Sequence, residues 1–365
     1  SYNMPYERYS GKPPGGIELT RADLVSQYKA VPHSDYAYLI KWNEYYAPKA
    51  LNYLLTNGLY VNTAFKSFSI DTHEGSMDFG YGTLLIPVGR QEVTAEEVNQ
   101  IVNEATKLAG IQAYATKTGY STKGIDLGSG NFETIRGPKA LMVIGDGTSS
   151  YEAGEVWHLL DEKVGMPITK IQSDDLRRAI GQGNYNTLVL VSGNYNSLGE
   201  ETLEGVKQWI RNGGTLITIR RATEWAISSG LIKTNEEKET PKAETTERLD
   251  YVTARDVRGA TAIGGSMYQT DLDISHPLGF GYTRRDLPVY RNHDHFMTPS
   301  DNAFSTVVQY TENPLLGGYV SHENLEKIGG TASLKVSSLG RGNVILFADN
   351  PNFRGMWYGT NKLFL

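Results

Sequence analysis

From residue 139 to residue 230 the chain alternates short apolar runs with amphipathic stretches, and this restricts its possible folds severely. KALMVIGDG (139–147), PITKIQ (167–172), NTLVLVSG (186–193) and TLITIRR (215–221) are the runs. AGEVWHLLDEKVG (153–165), DDLRRAI (174–180), LGEETLEGVKQWIRNGG (198–214) and TEWAISSG (223–230) read as helices. Nearly continuous apolar runs suit parallel strands covered on both faces, and right-handed crossovers wind such strands into one sheet. The fold class expected is therefore α/β, with a doubly wound, mostly parallel sheet over 137–365.

A smaller α/β domain is expected before it, over 35–130. YAYLIKW (36–42), LYVNTAFKSFSI (59–70), GTLLIPVG (82–89) and IQAYATKTGY (111–120) read as strands. APKALNYLLTNG (47–58) reads as a helix with Ala50, Leu51, Leu54 and Leu55 on one face. TAEEVNQIVNEATKLAG (94–110) is a second helix, with Thr94 and Glu97 spaced as a capping box. Its stripe is Val98, Ile101, Val102, Ala105 and Leu108. Residues 1–34 read as an irregular lead-in with a short helix at 21–28. KTNEEKETPKAETTERLD (233–250) reads as a solvated charged loop, because its opposite charges nearly cancel. Strand-like segments recur at 303–310, 317–320, 331–340 and 342–349, and TNKLFL (360–365) looks like a short helix.

Composition narrows the function. The net charge of −6 argues against a nucleic-acid surface. No apolar run reaches the length of a membrane span. Cysteine is absent from all 365 residues, which excludes disulfides, thiolate zinc ligands and a cysteine nucleophile.

The strand-turn-helix string LVLVSGNYNSLGEE (188–201) is the setting in which α/β enzymes mount a nucleophile. Ser192, however, follows Val191 in L-V-S-G-N rather than G-x-S-x-G. The plainer expectation is a turn leaving the sheet, with Gly193 relieving crowding. GDGTSS (145–150) could present backbone N–H groups to an anion, and Arg220-Arg221 would face the same crevice. A small anionic ligand would then be held by Arg220, Arg221 and the Gly147 turn. The candidate crevice residues are Asp146, Gly147, Ser192, Gly193, Asn194, Arg220, Arg221 and Glu224. For a metal, His158 and Asp161 share a helical side, but a hydrogen-bonded structural pair is the simpler expectation. His73-Glu74, with Asp71 and Asp78, and His293-Asp294-His295 are the other two clusters that could hold a cation.

Several strings, in order, resemble the C-terminal, non-peptidase region of secreted bacterial zinc carboxypeptidase-like proteins of the carboxypeptidase A type. They include YLIKWNEYYAPKALNYLLTNGLYV, GIDLGSG, GEVWHLLDEKVGMPITKI, VKQWIRNGGTLITI and LFADNPNFRGMWYGTNKLFL. The resemblance implies a class I glutamine amidotransferase-like, flavodoxin-like domain towards the C-terminus and a zinc peptidase domain preceding this region. It also implies export, to the periplasm or outside the cell. No H-x-x-E zinc motif occurs: none of the seven histidines has Glu three residues on. The elbow that carries a thiol in active amidotransferases is matched here to Ser192-Gly193-Asn194-Tyr195. The resulting expectation is a non-catalytic accessory region with no cofactor of its own. Its partners would be the peptidase domain and a peptide or sugar ligand, with zinc belonging to the peptidase domain. The alternative is a hydrolase assembled at the sheet's carboxyl edge from Ser192, Asp146, Glu224 and a downstream histidine.

Overall fold

The computed structural model describes residues 28–232 and 250–365, with positions 4, 10–12, 15–18, 20 and 248. The short helix expected at 21–28 and the charged loop at 233–250 lie almost wholly outside the described residues.

The first unit runs β1 (Ala37–Ile40), α1 (Ala47–Thr56), β2 (Asn62–Ala64), β3 (Phe68–Thr72), β4 (Gly75–Phe79) and β5 (Leu84–Pro87). It continues with α2 (Ala95–Ala109), β6 (Ala113–Thr116), β7 (Lys123–Gly124) and β8 (Phe132–Thr134). Five strands form an antiparallel sheet in the order β6-β1-β5-β2-β8. Side chains alternate across β1 as the pleat requires. Tyr38 and Ile40 face α1 and α2, while Ala37 and Leu39 face a small sheet of β4, β3 and β7. The segment 59–70, expected as one strand, divides into β2 and β3 in different sheets. The second half of it turns back at His73-Glu74 to make the β3–β4 hairpin. The capping box of α2 is formed: Thr94 Oγ1 accepts from Glu97 N–H, and the Glu97 carboxylate accepts from Thr94 N–H. Its buried stripe is Val98, Val102, Ala105 and Ala109; Leu108 lies off that repeat and is half exposed.

The second unit begins with β9 (Ala140–Ile144), α3 (Ser150–Trp157), β10 (Ile168–Gln172), α4 (Leu176–Gly181), β11 (Thr187–Leu190) and α5 (Gly199–Arg211). There follow β12 (Thr215–Ile219), α6 (Arg221–Ser228), α7 (Ala254–Thr261), β13 (Ser266–Leu272), β14 (Asp286–Arg291) and β15 (Thr306–Gly317). The remaining elements are α8 (His322–Ile328), β16 (Ala332–Leu339), β17 (Gly342–Phe347) and α9 (Tyr358–Asn361). Nine strands form one sheet in the order β10-β9-β11-β12-β17-β16-β15-β13-β14. From β10 to β17 all neighbours are parallel, in the 2-1-3-4-5 order of doubly wound folds. From β17 to β14 all are antiparallel. The expected mostly parallel sheet is thus a mixed one. The reason is connection length: two residues join β16 to β17, too few for a parallel crossover. β13 also alternates buried and exposed side chains, as a strand of an antiparallel sheet does. The expected strand at 317–320 is reduced to Gly317, the last residue of β15.

Both faces of the parallel half are covered. Met142 and Val189 pack towards α3, whereas Leu141, Leu188 and Leu190 pack towards α4, α5 and α6. This leaves the carboxyl ends of β9, β11, β12 and β17 as the edge on which loops can build a site.

Candidate functional site at the carboxyl edge

The loops after β9 and β11 meet at the point where strand order reverses, and they close on each other. Asn194 N–H donates to Gly147 O at 2.8 Å, and Ser149 N–H donates to Ser192 O at 2.8 Å. Thr148 and Gly193 form a β-bridge. A Cβ on Gly193 would lie 2.9 Å from Gly147 O and 3.2 Å from Thr148 Cα, so the close approach requires glycine. The expectation that Gly193 relieves crowding at a turn is met. In the GDGTSS loop the N–H groups of Thr148 and Ser149 are taken by Gly145 O and Ser192 O, so these two are not offered to an anion.

Strain sits one strand further along. Between β12 and α6, Arg220 has φ 55° and ψ −115°, a conformation that L side chains rarely adopt. A sharp strand-to-helix turn of this kind holds the nucleophile in α/β hydrolases. Among the described residues, Arg220 and Arg354 alone have positive φ without being glycine. The turn at Ser192 is therefore relaxed, and the elbow-like position is Arg220. Its N–H is held by Phe347 O at 2.8 Å, which ties the turn to β17.

The Arg220 side chain is pinned by Glu152 in the first turn of α3. Nη1 donates to Glu152 Oε1 at 3.0 Å, and Ser192 N–H donates to Oε2 at 2.8 Å. Glu152 thus joins the loops after β9, β11 and β12 through one carboxylate. Burial raises its pKa, against the opposing pull of the Ser192 N–H and Arg220. One turn on, Glu155 accepts from Asn350 Nδ2 at 2.6 Å and from Arg354 N–H. Burial raises this pKa as well. Glu152, Glu155 and His158 recur at helical spacing and face a crevice of about 770 Å3, whose opposite wall is Asn350, Phe353 and Arg354. That volume suits a small ligand.

A second buried cluster secures the edge beside β17. Asp349 accepts four donors: Arg291 Nη1 at 3.3 Å, His293 Nε2 at 3.0 Å, Tyr310 OH at 2.7 Å and Ser333 Oγ at 2.5 Å. Burial alone would raise its pKa, but Arg291, His293 and Ser333 bring it down to about 2. Burial lowers His293 to about 4, so it is neutral. Its Nδ1 accepts from His295 N–H at 3.2 Å. His295 pairs with Glu224. These contacts hold the loop after β14 across the edge.

The sequence-based candidates consequently disperse. Arg220 lines the crevice, while Gly193, Asn194, Arg221 and Glu224 line a separate cavity of about 310 Å3. Arg220 and Arg221 therefore do not converge on one ligand. Ser192 is buried, and Asp146 and Gly147 are exposed. The histidine–carboxylate pairs at this edge are His293–Asp349 and His295–Glu224. Among the described residues no hydrogen bond joins Ser192 Oγ to a histidine. Tyr195, 2% exposed, fills the space behind the turn, with its hydroxyl on Val191 O. The expected His158–Asp161 pair is also replaced: Asp161 accepts from Trp157 Nε1 at 2.7 Å, leaving His158 on the crevice wall. His73 lies in the β3–β4 hairpin turn, 3.6 Å from Glu74, and its Nδ1 accepts from Ala115 N–H. Among the described residues no group of three or more potential ligands could hold a metal ion, and no helix is long and apolar enough to cross a membrane.

Glu152, Glu155, Asn350 and Arg354 were not singled out from the sequence. The i, i+3, i+6 spacing of Glu152, Glu155 and His158 was the available signal, since it places three polar side chains on one helical face.

No protein-family model matches the chain, and no curated protein does. Among solved structures it is similar to a GMP synthase subunit of Thermoplasma acidophilum. That match has 12% identity, covers 63% of this chain and 92% of the other, and has a TM-score of 0.39. A ThuA-like protein of Bacteroides uniformis matches at 14% identity over 63% and 89% of the two chains, with a TM-score of 0.35. A beta-galactosidase of Bacillus circulans sp. alkalophilus matches at 11% identity over 62% and 30%, with a TM-score of 0.30.

Proposed function

We propose that this chain is a non-catalytic binding and interaction scaffold whose ligand enters the crevice between α3 and the segment after β17. The observation that carries the reading is Arg220. It occupies a strained strand-to-helix turn of the kind in which α/β hydrolases mount a nucleophile, and its guanidinium is engaged by the buried Glu152. An arginine is neither a nucleophile nor a base at ordinary pH. The crevice offers the exposed ring of Tyr151, the Phe353 ring, and the polar groups of Glu155, His158, Asn350 and Arg354. Flat aromatic surface beside hydrogen-bonding groups suits a sugar or a peptide. The wider setting, accessory to a secreted zinc carboxypeptidase-like parent, rests on the sequence strings alone. It makes a peptidase domain the partner and places zinc in that domain.

The test has two arms. The chain is assayed for glutamine and p-nitrophenyl acetate hydrolysis, with Ser192→Ala as control, and is screened against glycan and peptide arrays. The expected result is no turnover, together with binding that falls at least about tenfold in Tyr151→Ala and Arg354→Ala, a loss of roughly 1.4 kcal/mol or more. Turnover that disappears in Ser192→Ala would restore the hydrolase alternative.

A further inference from the structure

Where the two units meet, a different cavity of about 650 Å3 opens. Tyr45, Tyr282 and Tyr358 give it aromatic walls, and Lys163, Arg284 and Lys362 give it cations. None of the described lining residues is acidic. Lys362, just after α9, is nine-tenths buried. Its Nζ donates to the main-chain oxygens of Trp42 and Glu44, the latter at 3.0 Å, and lies 5.4 Å from the Trp42 ring centroid. Glu44 reaches it through the backbone, and the Glu44 side chain is exposed.

Two acceptors use both hydrogens of a neutral amine and leave its lone pair unshared. An ammonium group there would have a third proton and a full charge to accommodate in a desolvated place. Burial accordingly lowers the pKa of Lys362 to about 7, against the weaker opposing influence of Glu44. The charged and titratable groups facing it are Glu44 before α1, Lys163 in the turn that extends α3, Arg284 before β14, and the tyrosines Tyr45, Tyr46, Tyr282 and Tyr358. Gly281, at φ 84°, keeps the space clear: a Cβ there would lie 2.8 Å from Nζ. A desolvated lysine beside other cations is a recognised form of amine nucleophile.

We propose that Lys362 is an imine-forming amine on the floor of a cavity that admits a small aldehyde or ketone carrying an anionic group. The nitrogen lone pair forms a bond to the carbonyl carbon, and the carbonyl oxygen takes up a proton to give a carbinolamine. Loss of that oxygen as water, with the remaining nitrogen proton released, leaves the C=N bond. The step needs no oxidant or reductant. Lys163 and Arg284 attract the anionic group, and the tyrosine rings flank the body of the ligand. This site is separate from the carboxyl-edge crevice and stands or falls apart from it.

Pyridoxal 5′-phosphate, an aldehyde bearing a phosphate, is the probe. The full chain is treated with a limiting amount, reduced with cyanoborohydride and mapped by peptide mass spectrometry. The expected result at pH 7 is labelling of Lys362 at least about tenfold above that of exposed lysines, whose amines are almost wholly protonated there. Its labelling should rise with a midpoint near pH 7. Lys362→Met should remove this label, and Lys163→Ala should reduce it several-fold with the fold intact. If Lys362→Met fails to fold, the labelling site and pH midpoint of the unaltered protein decide the matter. Label spread over exposed lysines with Lys362 unmodified overturns the proposal. So does a midpoint near pH 10, or labelling indifferent to Lys163→Ala.

Discussion

Two buried carboxylates stand at the same edge of the same sheet, each beside an arginine, and their acidities shift in opposite directions. Asp349 is satisfied by four donors and falls to about 2. Glu152 has two donors, and burial prevails, so its pKa rises. The difference shows that an arginine partner does not by itself settle the cost of burying a charge; the number of donors aimed at the oxygens does. It also separates roles. Asp349 is a closed fastening for the loop after β14, whereas Glu152 forms part of the wall of an open crevice.

The most severe way to break this comparison is Asp349→Ala, which strands the fully buried Arg291 guanidinium without its counter-charge. A loss of about 3–5 kcal/mol in unfolding free energy is expected by urea denaturation. A loss below about 1 kcal/mol would show that the four donors do not fasten the loop. Acid titration comes next. The folded pKa of His293 lies below 6.5, so its contribution is present above 6.5 and is lost as pH falls towards 4. The shift corresponds to about 3 kcal/mol. Asp349 adds a further loss as pH falls from 3.8 towards 2. Glu152 runs the other way: its raised folded pKa makes protonation favour the folded state as pH falls towards 4.5. Urea midpoints measured from pH 7 to pH 4 should therefore decline, and His293→Gln should flatten that decline. Glu152→Gln should cost only about 1 kcal/mol, since a neutral amide oxygen can still accept from Ser192 N–H or Arg220. A cost matching that of Asp349→Ala would erase the distinction between the two carboxylates. The smallest effect belongs to Ser192→Ala, within about 0.5 kcal/mol, because the backbone N–H of Ser192 meets Glu152 and its hydroxyl does not.

The doubly wound core was legible because its evidence is local. Leu141–Val143, Leu188–Val191 and Leu216–Ile219 are apolar runs of strand length, with amphipathic helices between them. The β3–β4 hairpin was missed because charged residues interrupt its pattern, although Phe68, Ile70 and Phe79 are buried on one face. β13 and β14 were also missed: half of their side chains face outward, and no continuous apolar run announces them. At the edge, sequence reasoning chose the more suggestive string, Ser192-Gly193-Asn194-Tyr195, over Arg220. Nothing in the pair Arg220-Arg221 signals a positive φ; the strain is imposed by the junction of β12 with α6. The Asp349 cluster was invisible for a related reason. Arg291, Tyr310, Ser333 and Asp349 come from or just beyond four strands and converge only once the antiparallel half is built.

The hold of Lys362 on Trp42 spans 320 residues of sequence. At a synthesis rate of about 5–20 residues per second, roughly 16–64 s separate the making of these two ends. Throughout that interval the first unit can complete its own sheets and helices, because β1 to β8 find their partners within residues 37–134. Some of its contacts with the second unit form earlier, Asn52 Nδ2 on Gly165 O and the rings of Phe65 and Tyr81 against Phe280, while the main-chain oxygens of Trp42 and Glu44 meet Lys362 only when the turn after α9 emerges. The growing chain therefore holds its first unit by those earlier contacts, and the main-chain oxygens of Trp42 and Glu44 are without their lysine partner until Lys362 arrives.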